Sequence, residues 1–302
     1  MQKWLFRLGF PSLFFFLSGP VLAAVSVFAT VPEWGALAQE IGGERVTVFT
    51  ATSALQDPHH IEARPSLIAR ARAAQLLVAT GADLEIGWLP VLLRESGNER
   101  ILPGQAGHLE AASVVRLRDV PQVVDRSMGD VHPAGDPHFH LDPRNIPPVA
   151  QALAERLVRI DPAGANAYRA NLERFQERWQ AALRRWEEEG KRLKGLRVLQ
   201  IHRSFNYLAY WLGLENVGEL EPKPGIEPGS GHLSRIVAGQ KAAPAALILR
   251  AAYQNDAAGR WVSEQTGIPL LTLPYTVGGT PEARDLFGLF EATIAALKGA
   301  AR

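Results

Sequence analysis

The chain alternates short, β-branched apolar runs with stretches of helical spacing, and this alternation restricts its fold more than any other feature. Residues 25–30 and 45–50 have the length and composition of strands. Residues 31–41 between them carry helical spacing, and Gly42-Gly43 stops the pattern. Pro65 opens a second helix, over 65–75, in the first turn, where its missing N–H costs nothing. Residues 76–80 and 113–117 read as further strands. After mid-chain the style returns, with strands over 196–201, 245–250 and 269–273. Helices are expected over 203–212, 256–266 and 286–297, and a Pro/Gly-rich loop over 219–231. Strands alternating with helices imply an α/β fold of mostly parallel sheets covered by helices on both faces.

One element stands apart. After a helix over 148–159 and the break at Asp161-Pro162, Ala165, Tyr168, Leu172, Phe175, Trp179, Leu183 and Trp186 recur at spacings of three and four. Such a stripe runs about six turns. Its place near mid-chain marks it as a rigid connector between two lobes. The division expected is a first lobe over 25–163, a linking helix over 164–190 and a second lobe over 191–302. Residues 1–24 carry Lys3 and Arg7, an apolar run over 10–21 and small residues at Ala23-Ala24, the outline of a cleaved secretory signal peptide. That run is short against the ~20 residues a bilayer span needs. The mature chain is then expected to be exported, soluble and monomeric. Without Lys3 and Arg7 the balance is 30 basic to 31 acidic residues, which argues against a nucleic-acid partner. The chain has no cysteine, so a metal would have to be held by nitrogen and oxygen.

Two loops carry the chemistry. Asp57-Pro58-His59-His60 and Asp136-Pro137-His138-Phe139-His140 repeat Asp-Pro-His, each placing a histidine after a rigid bend. Neutral imidazole is a ready ligand for zinc-like ions. His202 follows an apolar strand directly, and in open α/β sheets ligands bind beyond the carboxyl ends of strands. His59, His138 and His202 could therefore meet in one cleft. His108 and His232 read as loop or surface residues. His132 reads as structural, with shielding of a nearby ion as the second possibility.

Taken together, these pieces resemble the zinc- and manganese-binding solute receptors of bacterial metal ABC transporters, the zinc-uptake type in particular. The matching stretches are Asp57-Pro58-His59 with Arg64-Pro65-Ser66, Asp136-Pro137-His138 with Leu141-Asp142-Pro143, and Gln200-Ile201-His202 with Tyr207. Glu221-Pro222-Lys223-Pro224-Gly225-Ile226 and Thr276-Val277-Gly278-Gly279 complete the set. The resemblance implies two α/β lobes joined by a long backbone helix, with metal in the cleft between them. It implies His59, His138 and His202 as metal ligands, and no catalytic residues. It implies periplasmic capture of Zn2+, as transported cargo, and delivery to a membrane permease.

Two departures leave matters open. Residues 98–135 hold only His108 and His132, so the long His- and acid-rich loop of many relatives is missing. The stretch Pro274-Tyr275-Thr276-Val277-Gly278-Gly279 lacks the aspartate many relatives use as fourth ligand. The fourth position is then water, His60, His140, Glu62 or Asp256. Alternatives are a manganese receptor of the same transporter class, and a zinc-dependent hydrolase with Glu62 as base. Imidazole ligands predict metal affinity that falls as the pH drops through the histidine range near 6.5.

Overall fold

The computed structural model describes residues 24–123, 129 and 131–301. The expected signal segment lies, apart from Ala24, outside the described residues.

Each half of the chain builds one four-stranded sheet. The first holds β1 (Val25–Ala29), β2 (Val46–Thr50), β3 (Leu76–Ala79) and β4 (His108–Glu110), in the order β2-β1-β3-β4. The second holds β5 (Arg197–Gln200), β6 (Glu215–Glu219), β7 (Leu247–Ala251) and β8 (Leu270–Leu273), in the order β6-β5-β7-β8. Every pairing is parallel. The two halves thus share one topology, and both send chain into the cleft from the carboxyl ends of their strands. Helices α1 (Pro32–Gly42), α2 (Pro65–Ala73), α3 (Leu89–Ser96) and α4 (Ile146–Ile160) belong to the first half. Helices α6 (Asn206–Leu212), α7 (Ser230–Gly239), α8 (Ala257–Thr266) and α9 (Leu286–Ala300) follow the long α5 (Ala165–Gly190). β3 is buried at all four residues, the pattern of a strand covered on both faces. α1 starts with Pro32 in its first turn and ends where Gly43 adopts φ +57°.

Four features differ from the sequence expectations. The strand expected over 113–117 does not form. A 3-10 turn occupies Ala111–Val114, and the Ser113 hydroxyl donates to the Glu110 carbonyl (2.6 Å), turning the chain off the sheet edge. The edge strand is β4 instead, so His108 leaves its expected loop. It is buried in β4, with Nδ1 2.7 Å from the Ile101 carbonyl. α3 and β6 carry no distinctive sequence pattern and emerge only in the fold. α4 begins two residues early because Pro147 and Pro148 fit its first turn.

The stripe along α5 is buried as expected. Tyr168, Leu172, Phe175, Trp179, Leu183 and Trp186 all lie inside. α5 packs on α1 and α4 of the first lobe and on α9 of the second. Trp179 is the centre of this seam. Its ring lies 5.2 Å from Phe175, 5.2 Å from Trp186 and 5.0 Å from Phe287. Its indole N–H donates to the Pro143 carbonyl (2.8 Å), which ties the helix to the loop that carries His138. Trp179→Ala should therefore cost about 3–5 kcal/mol of stability, the range for emptying a large buried aromatic site. Urea unfolding measures it; a loss below ~1 kcal/mol would contradict the packing role given to this residue.

Candidate metal centre

Each Asp-Pro-His triplet folds into the same small device. One oxygen, Asp57 Oδ1, lies 3.0 Å from the His59 backbone N–H and 2.7 Å from its ring Nδ1. Asp136 Oδ1 repeats this at His138, at 2.9 Å and 2.6 Å. Proline bends the chain so that a carboxylate can reach both groups two residues ahead. A carboxylate only accepts, so Nδ1 carries the hydrogen and the lone pair is left on Nε2. His202, in the second lobe, gets the same treatment from a distant residue. Its Nδ1 lies 2.7 Å from Glu221 Oε2, which also accepts from the Gly225 N–H (2.8 Å).

The three rings converge. Their centroids are 5.7 Å apart for His59 and His138, 5.9 Å for His59 and His202, and 5.5 Å for His138 and His202. One ligand atom from each lies within 4.8 Å of the others, the only such group among the described residues. Nε2 of His59 and of His138 is buried without a hydrogen-bond partner among the described residues. Buried nitrogens with free lone pairs, each backed by a carboxylate, are what a cation site of the carboxylate–histidine–metal kind needs.

Both lobes tighten this site. Asn206 on α6 donates to Asp136 Oδ2 (3.2 Å), the oxygen that does not hold His138, and Gln200 donates to Asn206 Oδ1 (3.2 Å). The Tyr207 hydroxyl accepts from the Arg118 N–H (2.8 Å), and Tyr210 donates to Asp119 (2.7 Å). His138 stands edge-on to Tyr275, at 5.7 Å.

Two of the fourth-ligand candidates, His140 and Asp256, are engaged by other partners. His140 is fully buried with Nε2 2.9 Å from the Tyr275 carbonyl and Nδ1 3.5 Å from Glu33 Oε1. Glu33 Oε2 in turn accepts from Thr276 (2.5 Å), so this cluster stitches the lobes together. Asp256 pairs with Arg260 at 2.6 Å. His60 lines a cavity of about 520 Å³ with Asp57, Glu221 and Trp261, and its ring lies 6.2 Å from that of His59. Glu62 is not in the converging group. The sequence makes His132 structural, with shielding of an ion as the second possibility; the fold brings its ring to 5.4 Å from that of His59.

The chain matches the family model described as zinc-uptake complex component A, periplasmic, over residues 27–300. The chain belongs to this family of metal-binding transport receptors. Among relatives of the zinc-uptake family, the high-affinity zinc uptake system protein ZnuA of Yersinia pestis is 22% identical over 258 residues, 78% of each chain. The manganese-binding lipoprotein MntA of Halalkalibacterium halodurans is 25% identical over 80% of this chain and 76% of its own. A crystal structure of ZnuA superposes with a TM-score of 0.76 at 19% identity, covering 92% of this chain and all of that one. This last likeness confirms the two-lobed α/β architecture. No helix among the described residues is long and apolar enough to cross a membrane.

Burial sets the electrostatics of the site. It pushes His138 down to about 4, against the pull of Asp136. It pushes His132 down to about 3, with repulsion from His59 and His138 adding to it. For Asp57, burial alone would raise the pKa, but the hydrogen bond and charge of His59 outweigh it and hold the group at about 2. Asp136 is likewise held below its ordinary range: burial would raise it, and His138 overrides that. His138 thus takes up its proton near pH 4, lower than the 6.5 expected from sequence. Stability follows from the same shifts. In the unfolded chain His138 and His132 take up protons near 6.5, and in the folded protein only near 4 and 3. Between pH 6.5 and 4 the unfolded state binds more protons, so stability is lost as the pH falls through that window. The Tm of the metal-free protein should drop from pH 6.5 to 4, and drop less in His138→Gln. A wild-type Tm that is level across this range would contradict the burial of neutral imidazole.

Proposed function

We propose that this protein captures zinc in the periplasm and hands it to the membrane permease of an ABC transporter, with His59, His138 and His202 as the metal ligands. The observation that carries this reading is the convergence of three imidazoles whose outer nitrogens are all held by carboxylates. Family membership supports the transport role and the permease partner. The site uses two loops of the first lobe and one strand end of the second, consistent with a division at 25–163, 164–190 and 191–302.

The donor set favours zinc over manganese. Three neutral nitrogens suit a borderline ion with four-coordinate preference, whereas manganese takes carboxylate and water oxygens. Here Asp57, Asp136 and Glu221 are spent on Nδ1 hydrogens and stand behind the rings. They place negative charge near the ion without entering its shell. A hydrolytic role would need a carboxylate facing the ion as base, and these three face away from it.

Alanine at His59, His138 or His202 should each weaken zinc binding by more than ~100-fold, since loss of a mere outer partner costs roughly 10–100-fold. Asp57→Asn should fall within that outer-partner range, and His232→Ala should change little. Competition titration against a zinc chelator, repeated with manganese, measures all of these. Tighter binding of manganese than zinc, or a His232→Ala loss equal to that of His202→Ala, would overturn the assignment.

A further inference from the structure

Three imidazoles leave a four-coordinate ion one ligand short, and one more imidazole faces the gap. The ring of His132 lies 5.4 Å from that of His59, closer than either His138 or His202 comes to His59, and 6.4 Å from that of His138. Its Nε2 is buried and has no hydrogen-bond partner among the described residues, the same state as Nε2 of His59 and His138. It lines a cavity of about 90 Å³ together with His138 and His202. Burying a polar nitrogen without a partner is unfavourable unless a ligand uses it. Of the residues the sequence offers as fourth ligand, His140 and Asp256 are engaged by other partners, and the His60 ring, at 6.2 Å, lies farther from His59 than that of His132.

The spacing agrees with the chemistry. Four imidazoles bound to one tetrahedral zinc at about 2.0–2.1 Å place their ring centres roughly 5 Å apart. The distances among His59, His138 and His202, and from His59 to His132, run from 5.4 to 5.9 Å. His132 is outside the group whose ligand atoms all lie within 4.8 Å, so its ring has to close toward His138 as the ion enters.

We propose that His132 supplies the fourth ligand, so that the bound ion is enclosed by four histidine nitrogens. This rests on the reading of His59, His138 and His202 as zinc ligands. His132 fills from a neighbouring loop the position for which the 274–279 stretch has no carboxylate. An all-imidazole shell strengthens the preference for zinc over oxygen-seeking ions.

The test is a crystal structure of the zinc-loaded full chain, with anomalous scattering at the zinc edge, together with chelator competition on His132→Ala. His132 Nε2 should lie within about 2.0–2.2 Å of zinc, and the variant should bind zinc at least ~10-fold more weakly. The structure is read on the wild type, so a poorly folded variant cannot obscure it. Zinc held by His59, His138 and His202 with water in the fourth position, and affinity unchanged in His132→Ala, would overturn this proposal and leave the transport reading intact. Zinc found away from those three histidines would overturn the transport assignment itself.

Discussion

A single carboxylate oxygen that accepts both a backbone N–H and a ring Nδ1 governs each of the two loop histidines, and the rest of the site depends on it. The imidazole would otherwise be free to rotate and to exchange its hydrogen between nitrogens. Held this way it has one tautomer and one direction, with Nε2 aimed into the cleft. The same oxygen ends the Asp-Pro bend by capping the backbone of the histidine. Loop shape and ring direction are therefore one interaction, which is why Asp-Pro-His occurs as a unit in both places.

This arrangement needs burial to work. In water the carboxylate and the imidazole would each be better solvated alone, and the pair would be loose. Within the cleft burial lowers the proton affinity of His138 while Asp136 stays ionised below its ordinary range. The result is a neutral nitrogen donor backed by fixed negative charge. A divalent cation is the species that gains from both at once.

Burial in turn needs both lobes. Asn206 reaches across to the free oxygen of Asp136, and the Glu33, His140, Tyr275 and Thr276 cluster closes the floor of the cleft. α5 holds the lobes at the distance these contacts require, with Trp179 bonded to the loop that carries His138. Bending that helix would expose its buried aromatic seam to water.

What was legible in the sequence was what local chemistry determines. The period of the apolar residues marked most strands, the long helix and the α/β class. The Asp-Pro-His triplets could be read because their pairing spans two residues and is completed within the loop. His202 was legible because it directly follows a strand. Contacts between distant segments could not be read. Glu221 pairs with His202 from 19 residues away, across a parallel strand crossover. His140 looks from sequence like another ligand, and only the tertiary structure turns it toward Glu33 and Tyr275. The edge strand moved from 113–117 to His108–Glu110 because pairing with β3, and a serine-capped turn, outweighed β-branched composition. His132 carries no motif of its own. Its place beside His59 comes from how two loops pack over the cleft, a decision made by the whole fold and not by neighbours in the chain.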